Sequence, residues 1–298
     1  MASPENDQLV AKLRSANLSS ASQTVEEIRA GWERFSSVFP AAADISFEAQ
    51  DAGGVPAEWV SAPDADRTRI VMYLHGGGYN IGTLESYRNF TGHLARATRA
   101  RLLAVGYRLA PENPFPAALD DAVASYRWLL AQGIAPERII LMGDSAGGGL
   151  ALATAVALRD AGDLRPAAVV AISPSTDLAK EGASNRERAH LDPIVNYEGS
   201  MAHALRYVGN KAKLKNPLAS PLYAEMHGLP PLLLLAGTHD TLFDDSTRFA
   251  AKAEAASVEV ELDVWEEMIH VWPLFSDVLP EGREALQKIG RYVEAKLG

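Results

Sequence analysis

The side chain most able to do chemistry is Ser145, at the centre of a Gly-Asp-Ser-Ala-Gly run. A continuous apolar stretch over 139–142 precedes this run, and an Ala- and Leu-rich stretch follows it, so the pattern predicts a buried strand, a sharp turn and a helix. Such a turn strains the backbone of the central serine and exposes its Oγ above the edge of a sheet. The helix N-terminus adds positive partial charge where an oxyanion would form. We therefore predict that Ser145 is a nucleophile.

Two other interpretations of the glycines fail on spacing. A phosphate-binding loop needs Lys and then Ser or Thr after its last glycine, whereas Gly148 is followed by Gly149 and Leu150. The dinucleotide pattern G-x-G-x-x-G fails at the run that starts with Gly76, because its third glycine position is Ile81. The glycines therefore do not predict a nucleotide site.

A second run of interest is His75 followed by three glycines, directly after a predicted strand over 70–74. Glycines at a strand end let backbone N–H groups approach a ligand without side-chain obstruction. In an acyl-transfer site, such donors and the N–H of Ala146, the residue after the nucleophile, stabilise the tetrahedral oxyanion. The two runs together predict an oxyanion hole.

The general base is chosen by chain order, which in this kind of site is serine, acid and then histidine. Five histidines follow the serine: His190, His203, His227, His239 and His270. The first three lie in or beside a stretch without strands, and His239 leaves no room for an acid before it. His270 follows the last predicted strand, so we predict that it is the base.

The acid should follow the preceding strand, over 232–235, where Asp240 is found. It would hold the His270 imidazole in the required tautomer and stabilise the imidazolium. Asp244 and Asp245 compete for this role, but they begin the next predicted helix, where the helix dipole favours carboxylates.

Apolar strands alternate with helices along most of the chain, which predicts a mostly parallel, twisted sheet of about eight strands with helices on both faces. The strands are expected over 45–49, 55–60, 70–74, 102–105, 139–142, 168–172, 232–235 and 258–264, with an antiparallel start. The helices between them are expected over 87–99, 117–130, 146–159, 244–255 and 283–297. Sites in such sheets lie beyond the carboxyl ends of the strands.

Two stretches depart from this alternation. Residues 1–40 look helical, with a short amphipathic piece over 8–14 and then a capping box that begins at Thr24. Between about 174 and 222 no strand is expected. We predict that 1–40 and 176–222 form a helical cap over a catalytic core of 41–175 and 223–298. The apolar stripe of the second N-terminal helix either packs on the core or roofs a ligand pocket.

Composition excludes several classes of protein. A formal net charge of −10 argues against nucleic acid or an acidic membrane surface as a partner. With no cysteine, the chain has no disulfide framework, thiol nucleophile or cysteine-ligated metal. Since neither a secretion signal nor a run of 18 apolar residues is found, we expect a cytoplasmic protein without a membrane partner.

The glycine run after His75, the run around Ser145 and the run Tyr-Arg-Leu-Ala-Pro-Glu from Tyr107 resemble the signatures of the hormone-sensitive-lipase family of bacterial esterases, family IV carboxylesterases of the α/β-hydrolase superfamily. The similarity extends from about residue 45 to the C-terminus. It implies an α/β-hydrolase fold, an oxyanion hole of Gly77, Gly78 and Ala146, and a structural role for His75. Relatives often have Asp-Pro-Leu at the acid, whereas this chain has Thr241 after its aspartate.

By this resemblance we expect a serine carboxylesterase that hydrolyses short- to medium-chain esters through an acyl-enzyme, without a metal or organic cofactor. Lactone hydrolysis by the same triad is the nearest alternative. A non-catalytic small-molecule receptor, such as the plant gibberellin receptors with their broken triad, is another. A homodimer through a sheet edge, with 258–264 as a candidate edge strand, is also considered. Candidate pocket walls are Trp32, Phe35, Phe39, Tyr79, Met201, Leu205 and Tyr207.

Overall fold

The computed structural model describes residues 2–16 and 23–298. Its strands are β1 Ser46–Asp51, β2 Pro56–Ser61, β3 Asp66–Leu74, β4 Ala100–Val105, β5 Ile139–Asp144, β6 Ala168–Ile172, β7 Leu232–Gly237 and β8 Val260–Trp265. They form one sheet in the order β1-β2-β4-β3-β5-β6-β7-β8. The pairs β1–β2 and β2–β4 are antiparallel and the others are parallel. The predicted eight-stranded, mostly parallel sheet with an antiparallel start is confirmed, and β8 lies at one edge.

Helices separate the strands as predicted. They are α1 Pro4–Ala16, α2 Val25–Ser36, α3 Arg88–Thr98, α4 Ala117–Ala131, α5 Ala146–Ala161, α6 Ser184–Glu187, α7 Tyr197–Val208, α8 Phe243–Ala255 and α9 Pro280–Leu297. Four short 3-10 helices add to them: Pro136–Arg138, Lys211–Lys213, Pro221–Tyr223 and Trp272–Phe275.

The sheet separates two hydrophobic cores. The first core lies under α4, α5 and α8 and also takes residues of α7. The second core lies under α1, α3 and α9, with side chains of α2 packed against it. The strands β5, β6 and β7 are buried along their whole length because helices cover both of their faces. This burial explains why they are continuous apolar runs in the sequence.

The stretch between β6 and β7 contains α6 and α7 but no strand. At the other end of the chain, α2 begins with the predicted capping box: the Thr24 hydroxyl accepts from the Glu27 N–H, and the Glu27 carboxylate accepts from the Thr24 N–H. Part of the predicted cap, residue 1 and residues 17–22, lies outside the described residues. Among the described helices, none has the length and apolar character needed to cross a bilayer.

Candidate active site

Ser145 lies in the one-residue turn between the end of β5 and the start of α5. Its φ of 53° and ψ of −120° fall outside the regions that a side chain favours, so the turn is strained. Neighbouring backbone holds it in place. The Ser145 N–H donates to the Ile172 carbonyl at 2.8 Å, and the Ser145 carbonyl accepts from the Ser175 N–H at 2.9 Å. Ser145 is therefore fixed to the end of β6.

The start of α5 lies very close to the end of β3, and Gly147 makes this approach possible. A Cβ at this position would lie 2.0 Å from the Leu74 carbonyl oxygen and 2.4 Å from that of His75. Backbone atoms cannot move aside as a flexible side chain would, so only glycine fits. The close approach brings Ser145 beside the loop that begins at His75.

His270 and Asp240 complete a chain of hydrogen bonds with Ser145. The distance from His270 Nε2 to Ser145 Oγ is 2.9 Å, and His270 Nδ1 lies 3.0 and 3.1 Å from the two Asp240 carboxylate oxygens. With the ring proton on Nδ1, the imidazole donates to Asp240 and accepts from the serine hydroxyl. Both side chains are buried. The competitors Asp244 and Asp245 instead accept from backbone N–H groups of the β6–β7 stretch.

The pKa of His270 results from two opposing effects. Burial favours the neutral imidazole, but the charge and hydrogen bond of Asp240 outweigh burial and raise the pKa above its usual value. The charge of Asp192 acts in the same direction. The imidazolium that forms when a base takes a proton is therefore stabilised at this position.

Asp192 is a second buried carboxylate at the site, and the sequence analysis missed it. Its Oδ1 accepts from the N–H groups of Ile194 and Val195 at 2.9 and 3.0 Å. Its Oδ2 accepts from the N–H of Thr241 at 3.1 Å and from the Thr241 hydroxyl at 3.3 Å. Proline, which relatives often carry where this chain has Thr241, has neither a backbone N–H nor a hydroxyl to donate. Asp192 lies in the strandless stretch, where no sequence pattern marked it.

Asp192, Asp240 and His270 form a close group of potential metal ligands among the described residues, with one donor atom from each within 4.8 Å of the others. Burial, and then the charge of Asp240, raise the pKa of Asp192 to about 6. All of these donors already take part in hydrogen bonds, and Nδ1 of His270 faces Asp240. Hydrogen bonds within the protein therefore account for the arrangement of these three side chains.

The glycine loop after β3 has backbone donors without an acceptor in the described part of the chain. No hydrogen bond within 2–16 and 23–298 uses the N–H of Gly77 or Gly78. A Cβ on Gly77 would lie 2.3 Å from the Ile81 carbonyl oxygen, and its φ of +103° also requires glycine. Ala146 is the first residue of α5, where a helix offers its N–H no internal acceptor. All three residues line one cavity with Ser145.

Asp144 joins this loop to the turn at Ser145. Its carboxylate accepts from the Gly76 N–H at 2.9 Å and from the hydroxyl groups of Tyr73 and Tyr87. Burial raises its pKa to about 6. His75 stacks on a tyrosine, Tyr107, and burial lowers its pKa to about 4, so it is neutral near pH 7. This network orders the loop.

The cavity that contains Ser145 has a volume of about 140 Å³. One side, which we call the apolar wall, consists of Trp32, Phe35, Leu274 and Phe275, all packed with the second core. The rest of the lining includes the polar residues Ser175, Lys180, Ser200 and His203, which we call the polar wall, together with apolar residues such as Leu178 and Ala204. Of the predicted wall residues, Trp32, Phe35 and Tyr79 lie in this lining.

Four other predicted wall residues lie outside this lining. Phe39 follows the end of α2 and packs edge-on against Phe35. Met201 and Leu205 project from the opposite face of α7, where they line a separate depression. Tyr207 is buried beneath Tyr79, with ring centroids 3.7 Å apart and nearly parallel planes. Helical spacing alone does not say which face of α7 meets the cavity.

Comparison with known proteins now places the chain in a class. The family described as alpha/beta hydrolase fold matches residues 71–274, and the chain belongs to it. A structure of an esterase from the bacterial hormone-sensitive lipase family superposes with a TM-score of 0.96, at 45% identity over 100% of both chains. An acetyl-hydrolase of Streptomyces hygroscopicus is 41% identical over 100% of this chain and 99% of its own length. An esterase of Acinetobacter venetianus is 34% identical over 86% of this chain and 84% of its own length.

The chain is therefore a member of the hormone-sensitive-lipase-like, family IV esterases of the α/β-hydrolase superfamily. The family predicted from the glycine and serine runs is confirmed. The protein is a hydrolase of carboxylic esters, which removes the receptor alternative.

Proposed function

We propose that this carboxylesterase uses Ser145, His270 and Asp240 as its catalytic triad. The observation that carries the proposal is the unbroken series of hydrogen bonds from Oγ through the imidazole to the carboxylate, 2.9 Å and then 3.0 Å. A nucleophile, a base within hydrogen-bond reach of it and an acid that orients the base form the arrangement that acyl transfer requires.

In the proposed mechanism, Ser145 Oγ attacks the ester carbonyl carbon while His270 Nε2 takes the hydroxyl proton. The carbonyl oxygen becomes an oxyanion and accepts from the N–H groups of Gly77, Gly78 and Ala146. The C–O bond to the alcohol then breaks, and His270 returns the proton to the departing oxygen. Water, deprotonated by the same imidazole, hydrolyses the acyl-enzyme and restores Ser145. These steps need no metal or organic cofactor.

We further propose that the substrates are short- to medium-chain esters and that 1–40 and 176–222 form a cap over the core of 41–175 and 223–298. A cavity of about 140 Å³ has room for a group about the size of benzene. α2 and α7, one from each part of the proposed cap, both contribute residues to its lining. A structure of EstE5, which is 42% identical to this chain, was obtained after soaking with p-nitrophenyl butyrate.

Replacing the nucleophile tests the proposal. Ser145→Ala is expected to lower kcat on p-nitrophenyl butyrate by about a million-fold, since members of a triad act as a unit. Ser246→Ala is the matched control, because Ser246 is buried on α8, outside the cavity lining, and its hydroxyl has no hydrogen-bond partner among the described residues. Circular dichroism checks that both variants fold. Turnover retained by folded Ser145→Ala contradicts the assignment.

A further inference from the structure

Lys180 is a buried cation in the cavity, and the proposed mechanism does not use it. Its side chain is 3% exposed and belongs to the lining that it shares with Ser145. Its ammonium donates to the Ser175 hydroxyl at 3.2 Å. Within 2–16 and 23–298 it makes no other side-chain hydrogen bond and no ion pair. The carboxylates of Asp177 and Asp245 offset its charge only from beyond ion-pair distance. A buried ammonium without a close ion partner is costly, so its position beside a cavity indicates a ligand.

Both carboxylates near Lys180 have other partners, although Oδ1 of Asp245 is buried and has no hydrogen-bond partner among the described residues. Asp177 pairs with Arg248 at 2.9 Å and also accepts from the Tyr223 hydroxyl at 2.9 Å. Asp245 accepts from the N–H groups of Thr176 and Asp177, both at 2.9 Å. An ammonium has three N–H donors. Two donors of Lys180 therefore remain for a molecule in the cavity.

His203 supports this interpretation independently. It lies beside the glycine loop, since a Cβ on Gly78 would be 2.8 Å from its Cγ. Its Nδ1 is buried and has no hydrogen-bond partner among the described atoms. Burial, followed by the charges of Arg206 and Lys180, lowers the His203 pKa to about 4. A neutral imidazole, an ammonium and a hydroxyl thus lie together on the polar wall.

The proposed chemistry sets which part of an ester meets this wall. The departing alcohol oxygen must reach His270 Nε2 to receive its proton. The residues that follow His270, Val271 to Phe275, pack into the second core and supply part of the apolar wall. The alcohol therefore begins beside the apolar wall. The acyl group extends in the remaining direction, towards Ser175 and Lys180.

We propose that Lys180, together with Ser175 and His203, binds a carboxylate at the far end of the acyl group, so that half-esters of short dicarboxylic acids are preferred substrates. The inference rests on the proposed function, because it takes Ser145 and His270 as the fixed points. The ammonium would form an ion pair with the carboxylate, and the hydroxyl and imidazole would complete its hydrogen bonds.

The test compares kcat/KM for the monomethyl and dimethyl esters of succinate, glutarate and adipate. In Lys180→Met the ratio of half-ester to diester is expected to fall about ten- to a hundredfold, the effect of one hydrogen-bonded charge pair. Lys215→Met is the matched control. It removes a positive charge from the same stretch of chain, but Lys215 lies outside this cavity and pairs with Glu181. The control should leave the ratio unchanged.

Equal losses for half-esters and diesters in Lys180→Met would show a structural role and overturn the subsite. If the wild-type protein hydrolyses diesters but the ratio does not respond to Lys180, the subsite alone is wrong. If the wild-type protein hydrolyses none of the half-esters, the diesters and p-nitrophenyl butyrate, the proposed function fails, and the subsite is not the cause.

A measurement on the wild-type protein removes the dependence on a folded variant. Glutarate is expected to inhibit p-nitrophenyl butyrate hydrolysis competitively, and glutaramide, its uncharged diamide, is expected to inhibit far less. Equal inhibition by the two compounds, or none by glutarate, overturns the inference.

Discussion

Two regions of the chain meet at Ser145, and they contribute differently. The carboxyl ends of the strands supply Ser145, Asp240 and the glycine loop, which backbone hydrogen bonds and close backbone contacts hold in place. The stretch between β6 and β7 supplies Asp192 and Lys180, buried charges that reach the site from outside the sheet.

The two regions are therefore expected to have different roles, one in placing the atoms that react and the other in adjusting their surroundings. The strand ends position the proposed reacting atoms, so changes there should abolish the reaction or the fold. The β6–β7 stretch and α2 set the charges and the shape around those atoms. Changes there should alter pH dependence and substrate preference and leave the chemistry in place.

The strongest test of this separation is Asp240→Asn. The amide no longer selects the Nδ1–H tautomer of His270 and no longer stabilises the imidazolium, so kcat on p-nitrophenyl butyrate should fall about ten-thousand-fold. Asp244→Asn, four residues later at the start of α8, should change kcat less than about threefold, since it lies outside the cavity lining. Similar losses in the two variants would contradict the choice of acid.

Gly147→Ala tests whether the strand ends depend on close backbone contact. The added Cβ would meet two carbonyl oxygens at 2.0 and 2.4 Å, so the free energy of unfolding should fall by about 4 kcal/mol or more. Gly31→Ala is the control: its nearest neighbour is an arginine side chain at 3.9 Å, and alanine should stabilise α2 by about 0.5 to 1 kcal/mol. Urea unfolding measures both. A Gly147→Ala protein as stable as wild type would refute the packing argument.

Asp192→Asn should tune the reaction without abolishing it. The reactive form of His270 is the neutral base, so kcat/KM rises with pH through the His270 pKa, which the Asp192 charge helps to raise. Without that charge the pKa falls, and the acid limb of the profile should move to lower pH. Weaker stabilisation of the imidazolium should also reduce kcat/KM on the high-pH plateau by about 5- to 30-fold. An acid limb that stays in place would show that Asp192 does not act on His270.

The smallest expected effect concerns the apolar wall. Trp32 packs against Tyr87 with tilted ring planes and lines the cavity beside the proposed alcohol position, so Trp32→Ala opens space for a longer alcohol. The kcat/KM ratio of hexyl acetate to ethyl acetate should rise about fivefold, the effect of burying one or two methylene groups. Phe39→Ala, which removes a ring beyond the end of α2 and outside the lining, should leave the ratio unchanged. A ratio that responds to Phe39 would contradict the lining seen in the structure.

The sequence alone was enough to predict which residues lie together at the strand ends. The turn around Ser145 needs a strand, two glycines and a helix in fixed order, and the order of Asp240 and His270 along the chain follows from strand topology. The place of Gly77 and Gly78 beside Ser145 could be predicted because close backbone approach demands glycine.

The walls could not be predicted in the same way. Met201 and Leu205 belong to an apolar stripe of α7, but the stripe does not say which face meets the cavity. Asp192 and Lys180 are single charged residues in a stretch without periodic pattern. Their burial depends on contacts with residues far away in the chain, such as the 3.1 Å hydrogen bond from Thr241 to Asp192.

Covalent labelling tests the central claim most directly. A fluorophosphonate reacts with a serine hydroxyl only where a base activates it and an oxyanion hole receives the phosphoryl oxygen. Peptide mass spectrometry of the treated protein should find one adduct, on Ser145, that is absent from Ser145→Ala and greatly slowed in Asp240→Asn. An adduct on another serine, or none on a protein that hydrolyses p-nitrophenyl butyrate, would contradict the account.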